Sequence, residues 1–548
     1  MSREMHPKAT EYPLLLSNSL TRAKERFEPL SAPAVGMYVC GPTVYGEPHL
    51  GHARSAVTFD LLYRYLKHLG YKVRYIRNIT DVGHLQDEQL EQGEDKIARK
   101  ARLEQLEPME VAQRYTNLYR EGMDALNCEH PSIEPHATGH IPEQIELIEE
   151  LLRKGFAYEV NGSVYFDLTH YREAYSYGDL SGKILEELQV ASRDTTGHDE
   201  KRGPHDFALW KKAEAGHIMR WKSPWGDGFP GWHIECTAMS TKYLGETFDI
   251  HGGGLDLQFP HHEAEIAQSC GAFGHGPAKI WIHHNMVTLD GSKMSKSAGN
   301  FVTLNELFMG THAILERAYS PMSIRFLMLQ SHYHSPIDFS NDALLAAEKA
   351  LHRLLQATRI LRVLVPKVQH DSFTASHVVA GVVAKEEHYG SNLQNHGSWM
   401  WPTPKSKLEN ELLGLFNRCY ETMSDDLNTA KTLAILFDIA GKINALHHHQ
   451  LDIKELSSEY LEWLRFQYEV ILFDILGLKE EVQDETDRLS GVLDLIISLR
   501  AKARGTRDFE TSDQIRDTLE ALGIRLKDGK GGTTEVEYFE PGDSEGAK

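Results

Sequence analysis

The chain has 548 residues and a formal net charge of −21, with 58 lysines and arginines against 79 aspartates and glutamates. Because a domain usually takes about 100 to 200 residues, this length predicts three or four domains. The acidic balance argues against a protein that binds any polyanion, since phosphate contacts need lysine and arginine. No apolar run approaches the ~20 residues that cross a bilayer, and the five cysteines are scattered. We therefore expect a cytoplasmic protein that has no membrane partner.

The first predicted unit is a strand, a turn, a helix and a second strand. Residues 35–40 (VGMYVC) are strand-like, apolar residues recur at helical spacing between 52 and 69, and residues 72–79 alternate like a strand. The turn carries the sequence PHLGH, in which His49 and His52 lie three apart around a glycine. Such a unit predicts one half of a doubly wound parallel sheet, in which a helix N-terminus binds the phosphates of a nucleotide.

An insertion and a second strand–helix region follow. Residues 116–226 begin as amphipathic helices, include a strand at 162–168, and become turn-rich up to about residue 222. The pattern then predicts a helix at 232–244, a strand at 247–251, a glycine turn at 252–254, a helix from His261 and a strand at 279–283. The sequence KMSKS at 293–297 adds Lys293 and Lys296, which supply positive charge for the same phosphates.

The C-terminal half is predicted to be mainly helical. Helical periodicity continues to about residue 478 and is interrupted by residues 366–407, an expected insertion loop rich in His, Ser, Asn and Gly. From about residue 489, two helices and strands at 524–527 and 535–539 predict a small α/β domain with a disordered tail. Its basic patch fits either a solvated helix face or a nucleic-acid contact: Arg500, Lys502, Arg504, Arg507, Arg516, Arg525, Lys527 and Lys530.

Taken together, these elements predict an α/β fold built on a Rossmann-like doubly wound parallel sheet. The sheet has an inserted connective domain and is followed by an α-helical bundle domain and a small α/β C-terminal domain. The expected domains are residues 1–115 and 227–305 for the two halves of the catalytic domain, 116–226 for the insertion, 306–485 for the helical domain and 486–548 for the C-terminal domain.

Four separated residues suggest a metal site. Cys40 ends the first strand, Cys236 lies in GWHIEC, and His261 and Glu265 share one face of a helix because they are four apart. The carboxyl ends of parallel strands lie at one edge, so thiolate, imidazole and carboxylate donors suited to zinc can meet there. The spacing leaves other ligands open: His262, Glu263, Cys270 and Cys128.

A zinc ion at this place would have a chemical purpose. Zinc binds a thiolate well and an alcohol oxygen poorly, so it can distinguish a sulfur-bearing amino acid from its hydroxyl analogue. A hydrophobic pocket alone rejects such an analogue by only about 10²-fold. The sequence therefore favours selection of a thiol substrate by a metal ion.

Seven blocks of the sequence, in this order, resemble the cysteinyl-tRNA synthetases, a family of class I aminoacyl-tRNA synthetases. The resemblance covers about residues 20–534, although residues 366–407 and Ala298 in KMSKSAGN depart from the pattern. The matching blocks are YVCGPTVYGEPHLGHAR, YIRNITDVGH, SPWGDGFPGWHIECTAM, FDIHGGGLDLQFPHHEAEIAQS, GSKMSKSAGNF, DDLNTAKTLAILFD and LKDGKGGTT.

The resemblance implies a role for individual residues of this chain. It implies one zinc ion per chain, and Mg²⁺ bound with ATP. The implied zinc ligands are Cys40, Cys236, His261 and Glu265. The implied catalytic residues are His49, His52, Lys293 and Lys296, and the implied ATP-binding residues are Thr43, His49, Gly51, His52 and Lys296. The implied cysteine pocket is formed by Thr80, Trp232, His251 and Asp256.

The resemblance also implies the reaction and its partners. L-cysteine and ATP would give cysteinyl-adenylate, from which cysteine passes to the 3′-terminal adenosine of tRNA(Cys), and the helical and C-terminal domains would bind the tRNA. The family resemblance implies a monomer. Two alternatives stay open: a ligase that joins cysteine to glucosaminyl-inositol in mycothiol synthesis, and an inactive RNA-binding homologue. The DGKGGTT tail disfavours the first, and intact HLGH and KMSKS disfavour the second.

Overall fold

The computed structural model describes residues 7–82, 85–87, 92–183, 200–214, 217–289, 291–294, 301–365, 402–481, 485–506, 508–522, 524–528 and 534–538. The chain divides into two compact units, Met1–Lys479 and Glu480–Lys548. Lys296, residues 366–401 of the expected insertion loop and the C-terminal tail lie outside the described residues.

The first unit contains most of the helices and strands. Its helices are α1 Pro7–Glu11, α2 Leu50–His68, α3 Lys96–Glu104, α4 Pro108–Ala125, α5 Ile141–Arg153, α6 Leu168–Ala174, α7 Trp232–Leu244, α8 His261–Phe273, α9 Leu304–Met309, α10 Pro321–Leu329, α11 Asn341–Leu364, α12 Lys407–Ser424, α13 Thr429–His447 and α14 Ser458–Glu469. Its strands are β1 Leu15–Asn18, β2 Ala23–Arg26, β3 Ala34–Val39, β4 Lys72–Arg77, β5 Leu85–Asp87, β6 Gln92–Asp95, β7 Ala157–Val160, β8 Ser163–Phe166, β9 Phe207–Lys212, β10 Trp221–Ser223, β11 Gly226–Pro230, β12 Phe248–Gly254, β13 Ala278–His284, β14 Val287–Leu289, β15 Ser292–Lys293 and β16 Ile337–Phe339. Short 3₁₀ turns lie at Ala137–His140, Leu255–Gln258 and Ile453–Glu455, and a π-helical turn lies at Val470–Ile475.

Within the described part of this unit, a parallel sheet of four strands forms the centre, in the order β13–β12–β3–β4. Helix α2 connects β3 to β4, and α8 connects β12 to β13. Every residue of β12 is buried, as is typical of a parallel strand that is covered on both faces. The Rossmann-like fold class that the sequence predicts is confirmed.

The glycine triplet expected as a turn is instead the end of strand β12, so that prediction is wrong. A Cβ on Gly252 would lie 2.1 Å from Cε1 of Phe59 on α2. A Cβ on Gly253 would lie 2.8 Å from Cε1 of His262 on α8. These positions need glycine because helices α2 and α8 approach the strand closely. Close approach of another part of the chain is a common reason for glycine inside a strand.

The connective insertion holds an antiparallel sheet in the order β10–β11–β9–β8–β7. The sequence predicts one strand here and turns up to about residue 222, so the other strands are a correction. Strand β9 shows why the sequence pattern does not predict such a strand. Its first four residues are all buried, so polar and apolar residues do not alternate along it. Residues 184–199, inside this insertion, lie outside the described residues.

The helical region contacts helix α2 of the parallel-sheet region through a buried arginine. Arg325 on α10 is fully buried, and its guanidinium donates to the carbonyl oxygens of Leu126 at 3.0 Å and Leu476 at 2.9 Å. The same guanidinium pairs with the Asp60 carboxylate on α2. The position of α2 is therefore fixed in part from the helical side of the molecule.

The second unit is a small α/β structure by itself. It consists of α15 Glu485–Gly505, α16 Phe509–Ala521 and the antiparallel strands β17 Ile524–Asp528 and β18 Thr534–Tyr538. Leu493, Leu519, Ile524 and Leu526 form its core. Across the described residues of both units, no helix combines the length and apolar character that crossing a bilayer requires.

Replacing Gly252 by alanine should lower the free energy of unfolding by about 1–3 kcal/mol, because the fully buried Phe59 ring must move to admit the new methyl group. Urea unfolding followed by circular dichroism measures this change. Gly441→Ala on α13, where a Cβ has no neighbouring atom within 4 Å, is the control and should stabilise the helix by up to about 1 kcal/mol. Equal unfolding midpoints for the two variants would contradict the close-packing argument.

Candidate active site and metal centre

A cavity of about 690 Å³ opens beside the carboxyl ends of β3 and β12. Turns and helix starts surround it, because parallel strands place the connections to their helices at this edge. Many residues expected at the site line the cavity: Cys40, Thr43, His49, Gly51, His52, Thr80, Trp232, Cys236, Asp256 and His261. The structure therefore brings the expected nucleotide turn and most of the expected cysteine pocket to one place.

The HLGH turn forms the N-terminal cap of α2 with two histidines. Nδ1 of His49 accepts a hydrogen bond from the Gly51 amide at 3.1 Å, and the His49 amide donates to Nδ1 of His52 at 3.3 Å. The two imidazole rings stack with centroids 3.8 Å apart. A Cβ on Gly51 would lie 2.9 Å from the His49 ring, so glycine is required for the ring to fold back over the helix. Both rings are thus held in place by the helix itself.

The KMSKS sequence is only partly described. Ser292 and Lys293 form strand β15, which pairs with β14, while the Lys293 side chain and residues 295–300 lie outside the described residues. Met294 and Phe301, on either side of that gap, both line the cavity. The Phe301 ring also contacts the His49 ring, with centroids 4.8 Å apart.

The four expected metal ligands meet at the inner wall of the cavity. The Sγ atoms of Cys40 and Cys236 lie 3.8 Å apart, and Cys40 Sγ lies 3.6 Å from Oε1 of Glu265. Nε2 of His261 lies 3.1 Å from the same Oε1. One donor atom from each of the four residues lies within 4.8 Å of the others. We call these four residues the cavity-side set.

A second combination of donors shares two of these residues. Among the described residues, Cys40, His251, His262 and Glu265 also place one donor atom each within 4.8 Å of one another. We call these residues the inner set, because the two that distinguish it, His251 and His262, are fully buried and do not line the cavity. His262, which the sequence leaves open as a ligand, therefore lies close enough to Cys40 and Glu265 to share a metal ion with them.

The other alternative ligands are engaged elsewhere. The Glu263 carboxylate accepts the amides of Gly178 at 2.9 Å and Ser181 at 3.0 Å, so it fixes a loop of the connective insertion. Cys128 lies against the guanidinium of Arg325, with Sγ 3.7 Å from Nη1. Cys270 lies on α8 beyond Glu265 and is outside both donor sets.

Glu265 and Cys40 are the two donors common to both sets, and His251 holds Glu265 in place. Oε2 of Glu265 lies 2.8 Å from Nε2 of His251, whose ring stacks on Trp281 with centroids 4.3 Å apart. Burial opposes ionisation of Glu265, but His251 and His261 lower the pKa of its carboxyl to about 2. His251, expected in the cysteine pocket, is therefore placed behind the cluster, where it orients Glu265.

The Cys236 thiol and the His261 imidazole favour opposite charges. Burial opposes ionisation of Cys236, yet the hydrogen bond from Cys40 and the nearby His261 lower the pKa of the Cys236 thiol to about 6. Burial and the hydrogen bond with Cys236 raise the pKa of the Cys40 thiol well above its ordinary value. Burial likewise opposes charge on His261, but Cys236 and Glu265 raise the pKa of His261 to about 10. Hydrogen bonds, and therefore shared protons, link these donors to one another. A soft divalent cation fits the same donors because it can displace those protons.

Thr80 is oriented by two residues that the sequence reasoning does not identify. The Asn78 amide donates to Oγ1 of Thr80 at 3.0 Å, and Thr80 Oγ1 donates to Oε1 of Glu235 at 2.9 Å. Burial and the neighbouring Cys236 raise the pKa of the Glu235 carboxyl well above its usual value. Asn78 and Glu235 lie in the family-like blocks YIRNITDVGH and SPWGDGFPGWHIECTAM. Neither residue indicates from the sequence alone that it contacts Thr80.

Comparison with known proteins identifies the family. A family model of the class I (C) tRNA synthetase catalytic domain matches residues 26–349, and a model of the DALR domain matches residues 418–478. A cysteine–tRNA ligase of Porphyromonas gingivalis is 52% identical over 525 residues, which cover 95% of this chain and 99% of that protein. A cysteine–tRNA ligase of Thermus thermophilus is 47% identical and covers 95% and 98% of the two chains.

Solved structures show the same fold at low sequence identity. Methionyl-tRNA synthetase of Mycobacterium tuberculosis, bound by methionyl-adenylate, superposes with a TM-score of 0.53 at 14% identity, covering 81% of this chain and 92% of that chain. About half of the residues are shared with the ligases over nearly the full length of both chains. The chain therefore belongs to the cysteine–tRNA ligase family of class I aminoacyl-tRNA synthetases.

Proposed function

We propose that the chain activates L-cysteine with ATP to form cysteinyl-adenylate and then transfers the cysteinyl group to the 3′-terminal adenosine of tRNA(Cys). The observation that carries the proposal is the cavity-side set, which opens into the same cavity as the histidine-capped start of α2. One cavity can thus hold a thiol beside a triphosphate. The two alternatives, the mycothiol ligase and the inactive homologue, gain no support from the relatives.

The nucleotide end of the cavity suits a triphosphate. The amides at the start of α2 and its dipole attract anions, and His49 and His52 are held at that point by their capping hydrogen bonds. We assign Thr43 and Gly51, which also line this part of the cavity, to ATP binding, with Mg²⁺ accompanying the phosphates. Lys293 and Lys296 would neutralise the leaving pyrophosphate, and Met294 and Phe301, which flank residues 295–300 and line the cavity, support that role.

The other end suits cysteine. Cys40, Cys236, His261 and Glu265 would hold one zinc ion, which when bound supplies a Lewis-acidic site that prefers sulfur to oxygen. Thr80 and Asp256 present oxygen atoms for the substrate ammonium group, and the Trp232 ring, packed 4.5 Å from the His261 ring, excludes water. His251 orients Glu265 from behind. With both substrates fixed, the cysteine carboxylate attacks the α-phosphorus and pyrophosphate leaves, so positioning supplies most of the catalysis.

The remaining domains are assigned to the tRNA. The DALR match covers α13, α14 and part of α12, and the second unit carries exposed basic side chains on and beside its two helices. Lys502, Arg504, Arg516 and Arg525 are among them. Single-stranded anticodon bases are read by their edges and by stacking, for which such a small domain is suited.

Removing zinc should abolish cysteine-dependent exchange between ATP and pyrophosphate, and added zinc should restore it. Serine should support exchange at least ~10²-fold more slowly than cysteine. A hydrophobic pocket alone discriminates between the two amino acids by only about that factor, and the metal should add to it. Cys236→Ser should lose the metal, measured by elemental analysis, whereas Cys270→Ser, on the same helix as His261, should keep it. Equal exchange rates with both amino acids would refute selection by the metal.

Lys296→Ala should slow adenylate formation by about 10²–10³-fold with little change in the KM for cysteine, because the lost charge stabilises the leaving pyrophosphate. Rapid-quench measurement of adenylate gives the rate. Lys293→Ala should have a smaller effect, and Lys349→Ala, exposed on α11, should have none. An unaltered rate in the Lys296 variant would remove it from the catalytic set.

A chain that ends at Lys479, the last residue of the first unit, should keep cysteine-dependent pyrophosphate exchange and lose most tRNA charging. The reason is that the exchange site lies wholly within the first unit. Aminoacylation of total tRNA with labelled cysteine measures the loss. Charging at the rate of the full chain would show that the second unit does not bind tRNA.

A further inference from the structure

Two histidines that the proposed function does not use lie directly behind the metal centre. His262 is fully buried, and His283 is 2% exposed. Nε2 of His262 lies 3.2 Å from Sγ of Cys40, and its Nδ1 lies 2.8 Å from Nε2 of His283. Nδ1 of His283 lies 2.8 Å from the hydroxyl of Ser19. The three side chains thus form an unbroken row from a half-buried loop after β1 to the sulfur of Cys40.

One arrangement of protons satisfies every contact in this row. Ser19 donates its hydroxyl hydrogen to Nδ1 of His283, His283 donates from Nε2 to Nδ1 of His262, and His262 donates from Nε2 to Cys40 Sγ. Each imidazole is then neutral and carries a single N–H. The direction is set at the sulfur, because a metal-bound thiolate can only accept a hydrogen bond.

We propose that Ser19, His283 and His262 form a hydrogen-bond relay that reduces the charge which the Cys40 sulfur gives to a metal ion in the cavity-side set. The proposal rests on the proposed function, since it requires a metal at that set. Partners behind the ligands tune a bound metal by this route. A metal that receives less charge from Cys40 attracts the substrate thiol more strongly. His262 and His283 are positioning residues, because they act through Cys40.

The competing assignment makes His262 itself a ligand, in the inner set. Two features favour the relay. Cys236 and His261 line the cavity, whereas His251 and His262 do not, so an ion in the inner set would lie farther from any substrate in the cavity. Nε2 of His251 is already 2.8 Å from Glu265 Oε2, the contact that orients the carboxylate for the cavity-side set.

The test replaces zinc by cobalt in the full-length chain, because the sulfur-to-cobalt charge-transfer band reports the electron density on the thiolate. His262→Phe should move this band to lower energy, and His283→Phe and Ser19→Ala should move it in the same direction by less. Ser269→Ala is the matched control: its hydroxyl is buried on α8, has no hydrogen-bond partner in the described structure, and should leave the band unchanged. The KM for cysteine should rise several-fold in the relay variants while the KM for ATP stays constant.

The outcomes separate the relay from the proposed function. Cobalt bound with two sulfur ligands, as counted by X-ray absorption, together with an unmoved band in all three relay variants, overturns the relay alone. A single sulfur ligand in the parent protein places the ion in the inner set and also overturns it. A chain that binds no cobalt overturns both the relay and the metal assignment. Ser19→Ala removes one half-buried hydroxyl, so the test stands even where a phenylalanine variant fails to fold.

Discussion

The active site depends on a cluster of ionisable groups that is buried at the carboxyl edge of the parallel sheet. Cys236, His261 and Glu265 are at most 1% exposed, and burying an isolated charge there would cost several kcal/mol. The cluster compensates by pairing every charge with a hydrogen-bonded neighbour, His251 for Glu265 and Cys40 for Cys236. Such pairing requires fixed positions for β3, β12, α7 and α8. The geometry of the cluster and the arrangement of the elements at the sheet edge therefore depend on each other.

This edge also explains why the two substrates can react. Cys40 follows β3 directly, and ten residues later α2 begins at Leu50 with its histidine cap. One donor of the cavity-side set, Cys40, and the capped start of α2 are therefore consecutive features of one connection. In the proposed function, a cysteine bound through its sulfur and an ATP bound through its phosphates would share the cavity of about 690 Å³. Fixing both reactants in this way can supply much of the barrier reduction for adenylate formation.

The sequence predicts features that depend on local periodicity or on ligand chemistry. The strand, turn and helix around HLGH and the i,i+4 pair of His261 and Glu265 follow from spacing alone, and the structure has them within a few residues. Features set by distant contacts were missed. The glycines at 252–254 look like a turn until Phe59 is known to lie against Gly252. Phe59 and Gly252 are 193 residues apart, and no pattern within one segment of the chain records such a contact.

Helix α2, whose N-terminus we assign to ATP binding, is held in place at its centre by buried ion pairs. Its middle carries Asp60, whose carboxylate is buried between the guanidinium groups of Arg64 and Arg325. Burial opposes ionisation of Asp60, but the two arginines lower the pKa of its carboxyl, so the charge persists and the pairs are strong. Arg325 and Arg64 also bond to backbone carbonyls at residues 126–127 and 474–476. Two other segments thus hold α2 at its centre, so the amides at its N-terminus keep their direction without a bound phosphate. Less of the binding energy of ATP would then be spent on ordering these amides.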